Sequence, residues 1–549
     1  MSSDAAAALA STAPAATPVP EDRAKDVGSP YAYYVLGVLV LVYMLNFIDR
    51  QILSILAEDI KADLGIDDAQ MGFLYGTAFA VFYALFGIPL GRLADMWVRK
   101  RLMAIGLFVW STMTALSGLA QNFAQIAGAR IGVGIGEAAA SPCAFSMLSD
   151  YFPKESRATA LAIYSGGLYL GGGVSLFIGG AIAENWNAAY PGGLDTIGIN
   201  IVGWQAAFMA VGIPGILVAL WVATLREPLR GMSEGFVEPP AENIWRKFFE
   251  ELSSVIPPFT LLDAARGGTK SVITNLVGAA IIFLAAVGII MVVGDTFSAR
   301  LQFGALGIGA YAVFSWSQSV KRRDPATYAL IWGTPSFLLM LVGFGTIAFN
   351  TYAVSFWSAP YILRSFDGVD AASVGLIIGG LGAGGGFLGV VLGGRLSDIL
   401  KRKYAAGRIF VGMGAIILMV PFILVQFTTD NLLLFYILAG PSNIVASAWV
   451  GVAAATSQDL VLPRMRGAAT ATYFLGTTLI GLGFGPYFAG EVSARTGDLA
   501  TGVMSLLVMV PLTLICLFFL YKRLPEAEAT KEERAQKAAA DAAARAAAA

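Results

Sequence analysis

The decapeptide GRLADMWVRK at residues 91–100 recurs as GRLSDILKRK at 394–403, identical at six of ten positions and offset by 303 residues. The same offset pairs Gly65, Asp67, Ala69 and Gly72 with Gly368, Asp370, Ala372 and Gly375. In both places an acidic, glycine-bearing loop leads into a long apolar run that ends on a basic turn. That is the pattern of a helix crossing a bilayer and stopping at its surface. Repeated at a fixed offset, it predicts two similar halves packed around a central site.

The rest of the chain agrees. Of 549 residues, 57% are apolar and 13% charged, against about 25% charged in ordinary globular domains, and the mean hydropathy is +0.70. Apolar runs long enough to span hydrocarbon fall near 33–56, 70–94, 102–120, 123–148, 158–183 and 203–224, then 271–294 and 301–320, then 334–360, 373–397, 408–427, 431–456, 467–490 and 500–521. The reading is an all-α polytopic membrane protein of fourteen spans, arranged six, two, six. Its parts are a disordered cytoplasmic tail (1–30), an N-terminal six-helix bundle (31–225) and a cytoplasmic connector (226–270) with a surface-lying helix around Trp245 to Phe249. An inserted helix pair (271–325), a C-terminal six-helix bundle (326–522) and a charged, Ala-rich cytoplasmic tail (523–549) follow. The inserted pair reads as two crossings or as a re-entrant hairpin, and its lengths with Lys321-Arg322-Arg323 favour two crossings.

An even number of spans puts both ends on one side. The connections on that side carry almost all the basic residues, whereas the opposite ones hold only Lys61, Arg300, Arg364 and Arg495. Both termini are therefore expected in the cytoplasm, with the chain in a bacterial inner membrane. A net charge of −1 leaves no footprint for nucleic acid. With no histidine, and Cys143 and Cys516 far apart in separate spans, a zinc site or disulfide framework lacks ligands. No nucleophile, base and metal constellation suggests an enzyme, and no cofactor is expected. The glycine-rich GGLYLGGG at 166–173 lies inside an apolar span without the strand and helix of a nucleotide loop.

Away from the span ends, four charged side chains stand out: Asp49 and Arg50 on the first helix, Arg130 and Glu137 on the fourth. A charge in hydrocarbon needs a partner or a wet cavity. The four occupy overlapping depths, Arg130 and Glu137 share a helix face, and Asp49 and Arg50 point about 100° apart, so one can face a cavity while the other crosses to a neighbour. Structural ion pairing is one reading. The other takes Asp49 and Glu137 as carboxyl groups that load and release a proton as their charged partners move, with Arg50 and Arg130 suited to a carboxylate or phosphate. The C-terminal half offers aromatic residues instead, Phe349, Tyr352, Phe356, Trp357, Tyr473 and Phe474. Of these, Phe349, Tyr352 and Tyr473 are the expected substrate contacts beside the two arginines.

The paired turns give a third group, Gly91, Asp95, Arg99 and Lys100 with Gly394, Asp398 and Arg402. Basic residues here are ordinary topology signals, but an aspartate four residues after a glycine in both halves is not. It suits a latch to an arginine or helix N-terminus at the cytoplasmic gate. Glycines 166, 167, 171–173, 179 and 180, with those from 379 to 394, suit close packing of helix backbones.

These turns resemble the loop motif of the major facilitator superfamily. More specifically, NFIDR at 46–50, RIGVGIGEA at 130–138 and DYFPKESRA at 150–158 look like its Spinster branch, which exports lysolipids and sphingosine 1-phosphate in animals. The resemblance is specific over roughly 40–185 and generic in the C-terminal half. It implies a twelve-helix core working by alternating access, with proton coupling at Asp49 and Glu137 and head-group contact at Arg50 and Arg130. The chain departs from the pattern at Val98, where a second glycine is usual, in its fifth helix, which lacks the antiporter proline, and in the inserted pair. The expected function is a proton-driven, monomeric transporter of an amphiphilic anion such as a lysophospholipid or sphingoid phosphate. A symporter of small organic anions or sugars is the alternative, and a non-transporting sensor or assembly protein the alternative of another class.

Overall fold

The computed structural model describes residues 17–196, 199–237, 239 and 241–548. Fourteen long helices form the body: α1 (Pro30–Ile55), α2 (Asp68–Met96), α3 (Arg99–Ser117), α4 (Phe123–Tyr151), α5 (Lys154–Ala189), α6 (Gly203–Thr224), α7 (Thr269–Val293), α8 (Phe297–Arg323), α9 (Pro335–Ser365), α10 (Ala371–Lys403), α11 (Arg408–Gln426), α12 (Leu432–Asp459), α13 (Arg466–Thr496) and α14 (Leu499–Ala529). Among the described residues, eleven are long and apolar enough to cross a membrane on length and composition alone. The other three, α3, α8 and α13, are the ones with a first turn of Arg99-Lys100-Arg101, a last turn of Lys321-Arg322-Arg323, and a broken axis.

Several spans are built in pieces. Gly76 breaks α2 between Asp68–Tyr75 and Thr77–Met96, α4 breaks after Glu137 and resumes at Ala140, and α12 breaks between Ser447 and Val450. Helix α13 contains a π-helical turn, Thr477–Leu482. Breaks of this kind free backbone groups and mark places where a helix bends or admits a neighbour. At Gly76 the reason is contact, since a side chain there would run into the Leu482 carbonyl of the π turn.

Below, the face carrying the basic turns is the basic face and the opposite one the acidic face. The two halves are joined on the acidic face. A Cβ on Gly173 of α5 would lie 2.5 Å from the Gly379 carbonyl of α10, and one on Gly180 would lie 2.5 Å from the Ala371 carbonyl. On the other seam, a Cβ on Gly72 of α2 would lie 2.5 Å from the Pro486 carbonyl of α13. Small residues replace side-chain interdigitation with backbone contact where lipid supplies no drive to associate. Charge reinforces the join: Arg364 of α9 grips Asp68 of α2 at 2.8 and 2.5 Å, while Lys61 (2.6 Å) and Ser493 (2.6 Å) also reach Asp68 and Arg364 meets Glu58 at 2.7 Å.

Helices α7 and α8 form an antiparallel pair of 25 and 27 residues rather than a short hairpin. Helix α8 packs on α2, and α7 leans on α8 and on a short Thr260–Arg266 helix, leaving Val292 88% and Met291 75% exposed. Asn275 of α7 holds α8 through Ser315 (3.2 Å) and Tyr311 (2.6 Å). Buried Gln302 of α8 donates to the Gly483 carbonyl at 2.9 Å and meets the Thr77 hydroxyl at 2.5 Å, so the inserted pair ties the broken points of α2 and α13 together. The connector contains the surface helix expected near Trp245, an amphipathic segment Ile244–Val255 whose Trp245 ring lies 5.5 Å from Trp97.

The tail expected to be disordered to residue 30 needs correction where it is described. Residues 1–16 lie outside the described residues, but Thr17–Pro18 pair with Phe236–Val237, and Arg23 donates to the Glu227 carbonyl at 2.6 Å. These partners, remote in sequence, hold the segment against the connector. Near the other end, Lys531–Ala548 is a helix, anchored by Lys531 on the Asp459 carbonyl (2.8 Å) and Arg534 on Thr334 (2.5 Å).

Adjacent glycines test the α5–α10 contact. A Cβ at Gly379 would collide with the Gly173 backbone, whereas one at Gly380 meets nothing within 4 Å. Gly379→Ala is expected to cost about 1–3 kcal/mol through overpacking, and Gly380→Ala to stabilise slightly. Thermal unfolding in detergent distinguishes them, and equal effects would contradict the contact.

Candidate functional site: a buried charge cluster between the halves

Helices α1 and α4 bring the four membrane charges together. Asp49, Arg130 and Glu137 are each 1% exposed. Arg50 donates to Glu137 at 2.6 Å, and Arg130 donates to the Asp49 backbone carbonyl at 2.9 Å. The 100° between consecutive residues sends them different ways. Asp49 turns toward Trp110 and Thr114 of α3, and Arg50 turns toward the facing half.

Arg50 lies inside an aromatic enclosure. Its guanidinium carbon is 4.9, 4.5 and 4.7 Å from the ring centres of Phe47, Phe79 and Tyr83, and Arg130 is 5.7 Å from Phe79. A guanidinium, weakly hydrated and planar, is stabilised over such faces when water is excluded. The enclosure borders a cavity of ≈ 20 Å³ lined by Phe47, Arg50, Gln51, Tyr75, Phe79, Tyr352 and Leu482, room for about one water. Gln51 spans the halves, accepting from Tyr75 (2.9 Å) and donating to Ser355 (3.4 Å), and Tyr75 stacks on Phe356 with centroids 4.2 Å apart.

Polar side chains surround both acids. Trp110 and Thr114 of α3 stand within hydrogen-bonding reach of the Asp49 carboxyl, and Asn46 of α1 within reach of the Glu137 carboxyl.

The expected aromatic contacts divide. Tyr352 lines the cavity with Arg50, and Tyr473 is buried in the electrostatic neighbourhood of Tyr352 and Tyr169. Phe349 does not face the cavity: it packs 5.5 Å from both Phe484 and Phe488, inside the C-terminal half. Their places in two uncharged spans of the C-terminal half suggested all three, but α13 approaches α9 so closely at Gly485 that Phe349 is enclosed. Trp357 bonds the Pro486 carbonyl (2.9 Å) in the acidic-face seal, and Phe474 is 56% exposed.

The basic turns bond within their own halves. Arg99, fully buried, reaches Asp150 (2.5 Å), Glu227 (2.9 Å), Ser146 (2.8 Å) and the Pro228 carbonyl (2.7 Å). Glu227 also accepts the backbone N–H groups of Arg99 and Lys100 at 3.1 and 2.9 Å, capping α3 with a negative charge at its N-terminus. In the other half Lys401 meets Glu528 (2.7 Å), and Arg408 meets Asp459 (2.5 Å) and Asp398 (3.3 Å). A side chain added at Gly91 would touch only Pro142 of its own half, at 3.9 Å, and one at Gly394 would touch nothing within 4 Å. The gate expected from Gly91, Asp95, Arg99, Lys100, Gly394, Asp398 and Arg402 is thus not latched by these arginines and lysines across the halves in this conformation, which is joined on the acidic face. Asp150 and Glu227 were missed as partners, although Asp150 opens the quoted DYFPKESRA. Gln51, Gln302 and the Asp68–Arg364 pair were missed too, since nothing local distinguishes them.

Two outcomes follow. Glu137→Ala leaves Arg50 buried without its counter-ion and is expected to cost about 3–5 kcal/mol, most of it recovered in Arg50→Met/Glu137→Ala; equal unfolding stabilities of the single and double variants would show that the pair is not coupled. Arg364→Ala releases Asp68, and in a variant lacking Cys143 and Cys516 a reporter Ser355→Cys should react several-fold faster with an impermeant maleimide from the acidic face. Unchanged labelling would remove the ion pair from the seal.

With this geometry in hand, comparison with known proteins is specific. The family model of the Major Facilitator Superfamily matches residues 39–369, more than half of the chain. The crystal structure of a bacterial homologue of the human lysosomal transporter Spinster, inward-facing and unoccupied, is 28% identical, with a TM-score of 0.63 over 92% of this chain and 98% of that one. An MFS-type efflux pump of Mycolicibacterium smegmatis is 25% identical over 90% of this chain and 93% of its own length. A probable L-galactonate transporter of Escherichia coli is 28% identical over 33% of this chain and 37% of its own length. The chain belongs to the Major Facilitator Superfamily, as a Spinster-like transporter.

Proposed function

We propose that the protein is a proton-coupled transporter that moves an amphiphilic anion, such as a lysophospholipid or a sphingoid phosphate, by alternating access. The observation that carries this reading is Arg50, held by Glu137 at 2.6 Å on one side and bordering the central cavity opposite Tyr352 on the other. Glu137 takes the Nε–H of that guanidinium, and a head group on the terminal N–H groups competes with it for the same positive charge. A proton on Glu137 neutralises the carboxylate and frees Arg50 for a phosphate or carboxylate head group. When the proton leaves, Glu137 reclaims Arg50 and the head group is released. Asp49 and Arg130 stand behind this exchange, with Arg130 on the Asp49 carbonyl at 2.9 Å, and the Asp49 carboxylate gives the proton a second resting place.

The aromatic residues of the facing half suit an apolar tail, with Tyr352 at the cavity and Tyr473 near it. Export against proton entry matches the efflux named for the mycobacterial relative. In this reading the basic face, where both described ends lie, is cytoplasmic in a plasma membrane, and the turns at Asp95 and Asp398 close it when the acidic face opens. The protein works as a monomer without a cofactor, driven by the proton gradient. A second reading, a carrier of small sugar acids, is favoured by the galactonate relative and by an arginine suited to a carboxylate.

Lumenal pH and labelled-substrate flux in proteoliposomes test these readings. Lysophosphatidic acid, sphingosine 1-phosphate and galactonate are offered to the wild type, Asp49→Asn and Glu137→Gln. The expected result is proton movement with an amphiphile, lost at least tenfold in Glu137→Gln. Flux of galactonate alone would select the second reading. Substrate flux without proton movement, unaltered in both variants, would make the carboxylates structural.

A further inference from the structure

A second cavity, ≈ 370 Å³, lies away from the charge cluster. Its walls are Leu306, Ala310 and Val313 of α8, Leu341 of α9, and Thr472, Leu475, Gly476, Leu479, Ile480 and Phe484 of α13, with Trp332 at one end. The π turn of α13 separates it from the central cavity, because Leu482 faces the centre while Leu479, Ile480 and Phe484 face the groove. Helix α8 is one wall and α7 is not, so the inserted pair creates the groove without filling it.

Three observations identify an occupant. The groove lies at membrane depth with an apolar lining, and an apolar space of this kind does not hold water. It is open along one side, and the helices that form it carry lipid-facing side chains immediately beside it, Leu338 on α9 and Phe474 on α13, 39% and 56% exposed. At its far end the lining is the ring of Trp332, three residues before α9 begins on the basic face, and a tryptophan there suits the level where acyl chains meet their head groups.

We propose that this groove holds one acyl chain of a membrane glycerolipid, with its ester end at the Trp332 ring and the methylenes running along α8 and α13. The bilayer supplies such chains continuously, whereas the transported substrate would have to pass the wall of α13 to reach the groove. The chain wedges the space behind the π turn on one side, opposite the Gln302–Gly483 hydrogen bond that ties the turn to α8 on the other. The proposal does not depend on which substrate the central cavity carries.

Full-length protein reconstituted with phosphatidylethanolamine bearing a mid-chain diazirine tests it by mass spectrometry of the labelled peptides. Labelling over 306–313 and 472–484 is expected at least fivefold above that over 277–284, on the lipid-exposed α7. It should fall at least fivefold in Ala310→Trp and in Val313→Phe, which fill the groove, with labelling of α7 unchanged. Equal labelling of groove and α7 in the wild type would overturn the proposal, and that comparison stands even if a filled variant fails to fold. Unchanged labelling in folded variants, or displacement of the label by lysophosphatidic acid at concentrations that saturate flux, would overturn it as well.

Discussion

An arginine inside a membrane must find its counter-ion within the protein, and Arg50 finds Glu137 at 2.6 Å. Much of the centre is arranged around that requirement. The pair spans α1 and α4, fixing their register. The rings of Phe47, Phe79 and Tyr83 exclude water from the guanidinium without competing for its charge. Buried pairs add little net stability, because desolvation cancels much of the attraction. In the proposed function their value lies in letting a proton or a head group displace one member of the pair.

The join between the halves uses a different device. On the acidic face, glycines of α5 and α10 bring backbones into contact, and so do those of α2 against α13, with Asp68 and Arg364 adding a charge link near the membrane edge. On the basic face the strong bonds of Arg99, Lys401 and Arg408 stay inside each half. Each half is therefore stiffened on the basic face, while the closest backbone contacts between halves lie toward the acidic one. That asymmetry matches a conformation joined on the acidic face, and rocking requires only the interface contacts to exchange.

Helices α7 and α8 extend this scheme. Gln302 reaches the point where α2 breaks at Gly76 and α13 loosens into a π turn, so the seam between those two helices has a third element laid across it. The seam between α5 and α10 has its glycines and one hydrogen bond, from the Ala372 N–H to Glu184 at 3.4 Å. An insertion made at the middle of the chain thereby distinguishes two seams that the internal repeat would otherwise make alike.

Sequence by itself determined the order and approximate limits of the long helices, because hydrocarbon thickness and the absence of water impose a length and a composition that no other environment demands. It also singled out Asp49, Arg50, Arg130 and Glu137, since charge in such runs is conspicuous without knowing any neighbour. The tertiary structure decided which partners those charges take, that Arg50 and not Asp49 borders the cavity, that Phe349 is enclosed while Tyr352 is not, and that residues 17–29 are held by the connector. It also decided the roles of Asp150, Glu227, Gln302, Asp68 and Arg364. These depend on which helix faces meet, and helix faces in a membrane are assigned by backbone proximity and pairings remote in sequence, neither of which leaves a local pattern to read.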